Sequence, residues 1–307
     1  MISVVIPLYN KERQIAATLR SVLGQTFRDF EIVIVNDGST DGSATEAKKL
    51  EDPRIRLLEQ ENAGVSAARN RGAAEAKGEF IAFLDADDAW RPDHLQTLYG
   101  LSRKYPQCGV FACRYELVDS NGTHTPAVIR KLPFAGEDGV LTNYFNAAYC
   151  SSPPLWTSAV MVRKEALRTV GGFPVGISHG EDLLTWAKLA AGYDIAYCKK
   201  STAYYILRPG YGKKSIPVNI PPGNQVGDAL EGMYRQRPSH GLSRYIGFWY
   251  KMRANLFLRG GGNRQAFFCI RKSIAYNPGE IKNYVYLALL LFPRKLRISI
   301  FKHLQSQ

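Results

Sequence analysis

Short apolar runs, each followed by a cluster of small polar or acidic residues, constrain residues 1–90 of this chain more than any other feature. Ser3 to Pro7, Glu31 to Val35, Ile55 to Leu58 and Glu79 to Leu84 are strand-like, β-branched-rich and too short for helices. Between them, Ile15 to Leu23, Ser43 to Leu50 and Ala63 to Ala76 read as helices, the last with small residues on one face. Strand and helix alternating at this spacing predict a parallel sheet whose strands are buried on both faces by crossover helices. Ligands of such sheets meet the carboxyl ends of the strands, near a switch in strand order. Asp37 follows the second run and Asp85 the fourth, so both belong at carboxyl ends.

The fourth run, Phe80-Ile81-Ala82-Phe83-Leu84, ends in Asp85-Ala86-Asp87-Asp88. Like charges gathered at the lip of a sheet repel, and a bound cation relieves them. Oxygen-only ligands favour Mg²⁺ or Mn²⁺, which carry phosphate oxygens in their remaining positions. The alternative is a solvated Asp-rich turn. A second cluster, Asn36-Asp37-Gly38-Ser39-Thr40-Asp41-Gly42-Ser43, sets short hydrogen-bonding side chains and glycines in one loop. A ligand can approach backbone closely there, and a carboxylate can accept from a base or from ribose hydroxyls. Asp41 or Ser43 equally suits capping of the helix that follows. In the third cluster, Glu61 to Gly72, small residues permit close helix packing and Arg69 is the candidate for a nucleotide.

With 45% hydrophobic and 22% charged residues in 307, the chain has the composition of a globular protein. Its start runs straight into a strand, so no secretory signal is expected. The five cysteines lack a CxxC pair, which favours reduced thiols over a disulfide or zinc framework. Charge is uneven: residues 1–200 hold 23 Lys and Arg against 24 Asp and Glu, whereas residues 201–307 hold 17 against 3. A neutral body with a basic C-terminal region implies an anionic partner for the latter, a membrane surface or a nucleic acid.

Past residue 105 the pattern loosens. Val110 to Val118 and Ala159 to Val162 read as strands around an irregular 123–155. A helix to Val170 ends at Gly171-Gly172, Glu181 to Ala191 is helical, and Ala203 to Leu207 is a strand. The Gly/Pro/Lys stretch Arg208 to Ser215 reads as a loop, and Pro217 to Gly223 as a linker. The domains expected are therefore 1–220 and a helical, basic 225–307.

The segments Val4-Val5-Ile6-Pro7-Leu8-Tyr9-Asn10, Val35-Asn36-Asp37-Gly38-Ser39-Thr40-Asp41, Asn62-Ala63-Gly64-Val65-Ser66-Ala67-Ala68-Arg69-Asn70 and Phe83-Leu84-Asp85-Ala86-Asp87-Asp88 together resemble the inverting glycosyltransferases of family 2. The likeness is dense over residues 1–100, looser to about 215, and does not cover the C-terminal region. It implies the GT-A fold, an α/β architecture with a mostly parallel sheet, to which a helical C-terminal region is added. It implies that Pro7, Leu8 and Tyr9 line a nucleotide pocket and that Asp37 reads the uracil of a UDP-sugar, with Arg69 nearby. Asp85 and Asp87 match the family's DxD, with Asp85 on the ribose side and Asp87 ligating Mn²⁺ or Mg²⁺ at the diphosphate. Asp88 is a further candidate. Gly180-Glu181-Asp182 matches the family's Glu-Asp pair, which makes Asp182 the base; acids complementing a helix dipole are the plainer reading.

Arg208, Lys213 and Lys214 are candidates for closing over a diphosphate, or form a solvated basic loop. Trp156 and Trp186 would supply sugar-stacking surfaces or packing. Tyr245 to Leu258 and Tyr284 to Phe292 are apolar stretches among cations, the second too short to span a bilayer. They suit an anionic inner leaflet, or a helical subdomain with a solvated basic face. The reading is thus metal-dependent sugar transfer to a glycan or lipid-linked acceptor, by a cytoplasmic chain peripheral on the inner face of the cell membrane, with no nucleic-acid partner. A nucleotidyltransferase would want a Gly-rich loop with a basic residue right after the first strand, where Pro7-Leu8-Tyr9-Asn10 stands. No G-x-G-x-x-G follows that strand, which disfavours a nicotinamide enzyme. A nucleic-acid-binding module using the basic tail would leave the three N-terminal clusters without a purpose.

Overall fold

A computed structural model describes residues 1–207, 223–293 and 296. The expectations for Arg208, Lys213 and Lys214 lie outside the described residues. The chain forms two compact units, Met1–Pro209 and Gly210–Gln307.

In the first unit, β1 (Ile2–Leu8) lies between β2 (Phe30–Asp37) and β4 (Phe80–Phe83), parallel to both, and β3 (Ile55–Gln60) continues beyond β2. The chain builds outward from β1 to β3 and then returns to the other side of β1, so the order reverses between β1 and β4. Pro7, Leu8 and Asp85 stand at that reversal. β2 is buried along its whole length, as expected of a central strand. The edge strand β3 is not: its residues are only partly covered, because it has a neighbour on one side alone.

The remaining strands break the parallel pattern. β9 (Val160–Arg163) runs antiparallel between β4 and β6 (Val110–Val118), and β10 (Ile195–Ile206) lies parallel to β6. The two-residue β5 (Ala89–Trp90) pairs with β10. The stretch 123–155 contains β7 (His124–Pro126), β8 (Asp138–Val140) and α5 (Tyr144–Ala148). These elements are too short to show a period, which is why the sequence reads as irregular there.

Alternation along β1 sends Ile2, Val4, Ile6 and Leu8 into one core with Ile15, Leu19 and Val22 of α1 (Ile15–Leu23). Val5 points the other way, against α3 (Val65–Glu75). Gly72 permits that approach: a Cβ there would lie 2.4 Å from Val5 Cγ1 and 3.3 Å from Val35 Cγ2. Such a contact requires the backbone of α3 to move off the sheet.

Among the described residues, the second unit contains α8 (Gln225–Gln236), α9 (His240–Gly260), α10 (Asn263–Tyr276) and α11 (Ile281–Leu289). The aromatic stretch of α9 is its core: Tyr245, Ile246, Trp249, Tyr250, Ala254, Phe257 and Leu258 are buried. That stretch therefore packs within the unit. The apolar side chains of α11 differ, since Tyr284 and Val285 are exposed. Among the described residues, no helix is long and apolar enough to cross a membrane.

Gly72→Ala gains about 1 kcal/mol of helix propensity and loses about 1–3 kcal/mol by overpacking. The overlap with a fully buried valine is severe, so net destabilisation of about 1–2 kcal/mol is expected. Urea unfolding checks this; an unchanged or raised midpoint would refute the close contact.

Candidate active site

The loops after β1, β2 and β4 are tied to one another before any ligand is considered. Asn10, in the left-handed region at φ 51°, accepts from the Thr40 N–H at 2.8 Å through its Oδ1. Its own N–H donates to Ser39 Oγ, and the Lys11 N–H donates to Ser43 Oγ at 2.7 Å. Asp41 accepts from the Ser43 N–H and Oγ at the start of α2 (Ser43–Lys48), whose N-cap position is taken by Gly42. Thr18 of α1 donates to the carbonyls of Ala86 and Asp88, so a helix hydroxyl fixes the acidic turn.

A cleft of about 400 Å³ opens at the carboxyl ends of β1 and β4. Pro7, Leu8, Tyr9, Asp37, Arg69, Asp85 and Asp87 all line it, as do Lys11, Asn62 and Gly64. This is the size of a small-molecule site, which is typically ~300–1,000 Å³. Tyr9 is largely exposed at its mouth. Asp37 is buried, and its carboxylate accepts from Gln60 Nε2 at 2.6 Å and from the Ala63 and Gly64 N–H groups at 2.9 Å. Those bonds tie the loop before α3 to the end of β2. They leave a carboxylate with further lone pairs at the cleft wall.

The acidic turn divides its labour. Asp85 Oδ1 takes Arg69 Nη2 at 2.8 Å, and Asp87 is held by the Lys11 ammonium. Asp88 turns away from the cleft and is buried. Its Oδ2 accepts from Ser158 Oγ at 2.5 Å and its Oδ1 from the Ile206 N–H at 3.1 Å. Burial, and then the charge of Asp85, push its carboxyl up to about 8. Asp88 thus fastens the end of β10 and does not line the cleft.

Arg69 is the central cation of the site. The residue is 4% exposed, and its guanidinium lies 5.1 Å from the Phe173 ring centre and reaches Glu181 Oε1 at 3.3 Å as well as Asp85. It links the acidic strand end to α7 (Glu181–Gly192), whose start is set by Gly180 in the left-handed region at φ 81°. Asp182 follows Glu181 in the first turn and does not line the cleft. Burial, then the neighbouring Glu181 charge, push its carboxyl up to about 6, while Arg69 opposes them.

Asn70 brackets the backbone of Phe173, accepting from its N–H at 2.8 Å and donating to its carbonyl at 2.7 Å. It thereby holds the segment leading to α7. Trp186 is fully buried against Phe83 and Phe173, so it packs and does not stack on sugar. Trp156 is partly buried beside Tyr115 and Tyr205. His179 is an exposed loop residue bonded to Ser178.

Lys11 and Ser158 are absent from the sequence-based candidates. Lys11 had a signal, as a cation just past the first strand. Ser158 had none, because its place beneath the acidic turn comes from the insertion of β9. Among the described residues, no three His, Cys, Asp or Glu side chains converge to hold a metal alone.

A mixed sheet with its cleft at the strand reversal, walled by paired carboxylates and cations, defines the GT-A class of α/β folds. S. aureus TarS residues 1–349, solved in complex with UDP-GlcNAc, has that fold and matches with a TM-score of 0.72 at 19% identity, over 98% of this chain and 91% of that one. The family model described as glycosyl transferase family 2 matches residues 3–171, more than half of the sequence, and the chain belongs to that family.

An uncharacterized glycosyltransferase of Nostoc sp., alr2836, is 37% identical over 202 residues, 64% of this chain and 58% of that protein. The Escherichia coli protein named UDP-Glc:alpha-D-GlcNAc-diphosphoundecaprenol beta-1,3-glucosyltransferase WfgD is 35% identical over 122 residues, 39% of this chain and 48% of its own length. The chain thus spans about half the length of these relatives.

Removing the cation from a buried pair leaves its partners uncompensated, at a cost of about 3–5 kcal/mol. Asp85 keeps some contact with water, so Arg69→Met should cost about 3 kcal/mol. Chemical denaturation reads this, and a loss below about 0.5 kcal/mol would place the pair among those of no structural weight.

Proposed function

We propose that this chain transfers a sugar from a nucleotide-sugar, a UDP-sugar by the match at Asp37, to a hydroxyl of a glycan or lipid-linked acceptor. The observation that carries the reading is the convergence on one cleft of Pro7, Leu8, Tyr9, Asp37, Arg69, Asp85 and Asp87, which are far apart in the chain. The activity for which WfgD is named, on a diphosphoundecaprenol-linked acceptor, supports the acceptor class. UDP and UDP-GlcNAc on TarS support the donor class.

The donor set fits Mn²⁺ or Mg²⁺. Asp85 and Asp87 offer oxygen ligands, and a Lys11 ammonium already sits on Asp87, marking a place where a cation is favoured. Two carboxylates are too few to enclose an ion, so a nucleotide diphosphate would complete the shell. Asp87, with Asp85, would hold the ion, which offsets charge growing on the departing UDP. Lys11 and Arg69 bring fixed positive charge to the same cleft.

Asp182 takes the proton of the acceptor hydroxyl. Its carboxyl titrates near 6, so it is largely ionised at neutral pH yet basic enough to accept a proton. Arg69 contributes by holding Glu181, and hence the start of α7, beside the acidic turn. The basic second unit fits an acceptor presented at an anionic membrane surface.

Because the working form of Asp182 is the carboxylate, kcat/KM should fall about tenfold per pH unit below pH 6 and level off above it. Asp182→Asn should lower turnover roughly 10²–10⁴-fold without weakening UDP binding; an unaffected turnover would remove it as the base. Calorimetry with UDP, GDP and CDP, in Mn²⁺ and then in EDTA, tests the donor site. UDP-selective, metal-dependent heat that is lost in Asp87→Asn is the expected result. Absence of binding by any nucleotide would overturn the reading.

A further inference from the structure

The second unit has a cavity of its own. It measures about 260 Å³ and is lined by Arg253 and Phe257 of α9 and by Arg264, Gln265, Phe268 and Cys269 of α10, with Asn224 before α8. None of the described residues lining it is acidic. Arg253 is 6% exposed, and its guanidinium lies 5.2 Å from the Phe257 ring centre. Arg264 also lines the cavity and is exposed, so one arginine is set in the wall and the other reaches solvent.

Residues 201–307 contain only Asp228, Glu231 and Glu280 as acids. Asp228 accepts from Asn224, Glu231 from Lys272 and Tyr250, and Glu280 from Lys251. The unit's own carboxylates are engaged with these partners, and the region as a whole carries a large excess of positive charge.

Two arginines lining one small cavity offer planar donor forks suited to a phosphate. The volume falls below the ~300–1,000 Å³ of sites that enclose a whole small-molecule ligand, which matches a head group and not a sugar nucleotide. The wall is also apolar on one side. Phe268 belongs to the cavity and is 48% exposed, and Phe267, Tyr284, Val285 and Leu291 of the same helical unit are exposed too. A phosphate ester carrying a hydrocarbon chain satisfies both halves of this surface, where a free phosphate would leave the rings in water.

We infer that the Arg253–Arg264 cavity of the helical unit binds the phosphate of an anionic lipid, seating the head group on the guanidinium groups and its chain against Phe268. This rests on the reading that the acceptor lies at an anionic membrane surface. It adds a defined head-group site to what net charge alone would supply. A diffuse basic surface attracts any anionic lipid in proportion to charge, whereas a pocket discriminates among phosphates.

The full chain is therefore sedimented with phosphatidylcholine vesicles containing phosphatidic acid or phosphatidylserine, matched in surface potential. Binding to phosphatidic acid should be roughly tenfold tighter, and Arg264→Gln should erase that preference. Arg235→Gln, which removes an exposed charge outside the cavity, should weaken both by about fivefold at most and keep the preference. Arg264 is exposed, so its variant should fold even where Arg253→Gln does not. Equal binding of both vesicles by the unaltered chain, or a preference that survives Arg264→Gln, overturns the inference. Inorganic diphosphate binding as tightly as the phosphatidic acid vesicles, with the same Arg264 dependence, would make the occupant a free phosphate and overturn the lipid assignment. Failure of UDP to bind the unaltered chain removes the donor reading alone, and the vesicle comparison still decides the cavity.

Discussion

One buried guanidinium ties the two sides of the first unit together. A charge at 4% exposure is tolerable only with counter-charges in contact, and Arg69 meets Asp85 on one side and Glu181 on the other. The two acids lie 96 positions apart in sequence, so the pair fixes a tertiary arrangement that no local preference specifies. The same cation holds the proton affinity of Asp182 lower than burial and Glu181 alone would set it. Asn70, the next residue, clamps the Phe173 backbone beneath the same contact. The acidic turn after β4 and the acids at the start of α7 are thereby anchored by consecutive residues of one helix.

Much of the first unit was legible in the sequence because each element carries a signal strong enough to survive its surroundings. The β1, β2 and β4 runs are apolar and short, and β6 lies at Val110–Val118 as the pattern predicts. The sequence stops being informative where position comes from partners. Nothing in Val160–Arg163 indicates that β9 enters antiparallel between β4 and β6. Nothing in Asp88 distinguishes it from Asp87 until Ser158 and Ile206 claim its oxygens. The motif located the acidic turn, and packing then separated the carboxylates that face the cleft from the one that holds the sheet. Trp186 shows the same limit, since a tryptophan reads alike whether it faces a sugar or Phe83.

The second unit separates two features that the sequence presents as one. Its apolar stretches look similar in composition, yet Tyr245, Trp249 and Tyr250 on α9 are buried while Tyr284 and Val285 on α11 are exposed. Buried aromatic mass gives the helices a core, which frees the remaining apolar surface from a structural duty. The three carboxylates of this region are spent on internal contacts, so its outward charge is set almost wholly by lysine and arginine.

The antiparallel strand β9 has a consequence for how the molecule is made. Its neighbours β4 and β6 cannot be joined through it until residues 160–163 have left the ribosome, about eighty positions after β4. Ser158, which accepts the Asp85 N–H at 3.1 Å, arrives with the same segment. A nascent chain that has made β1 to β4 therefore exposes an unpaired strand edge and an acidic turn without its support. Closure waits on contacts of long sequence separation, which slow folding because loop entropy is lost before they form. The acidic turn at the cleft thus gains its support only once about half of the 307 residues have been made, and the chain is most exposed to misassembly between the emergence of β4 and that of β9.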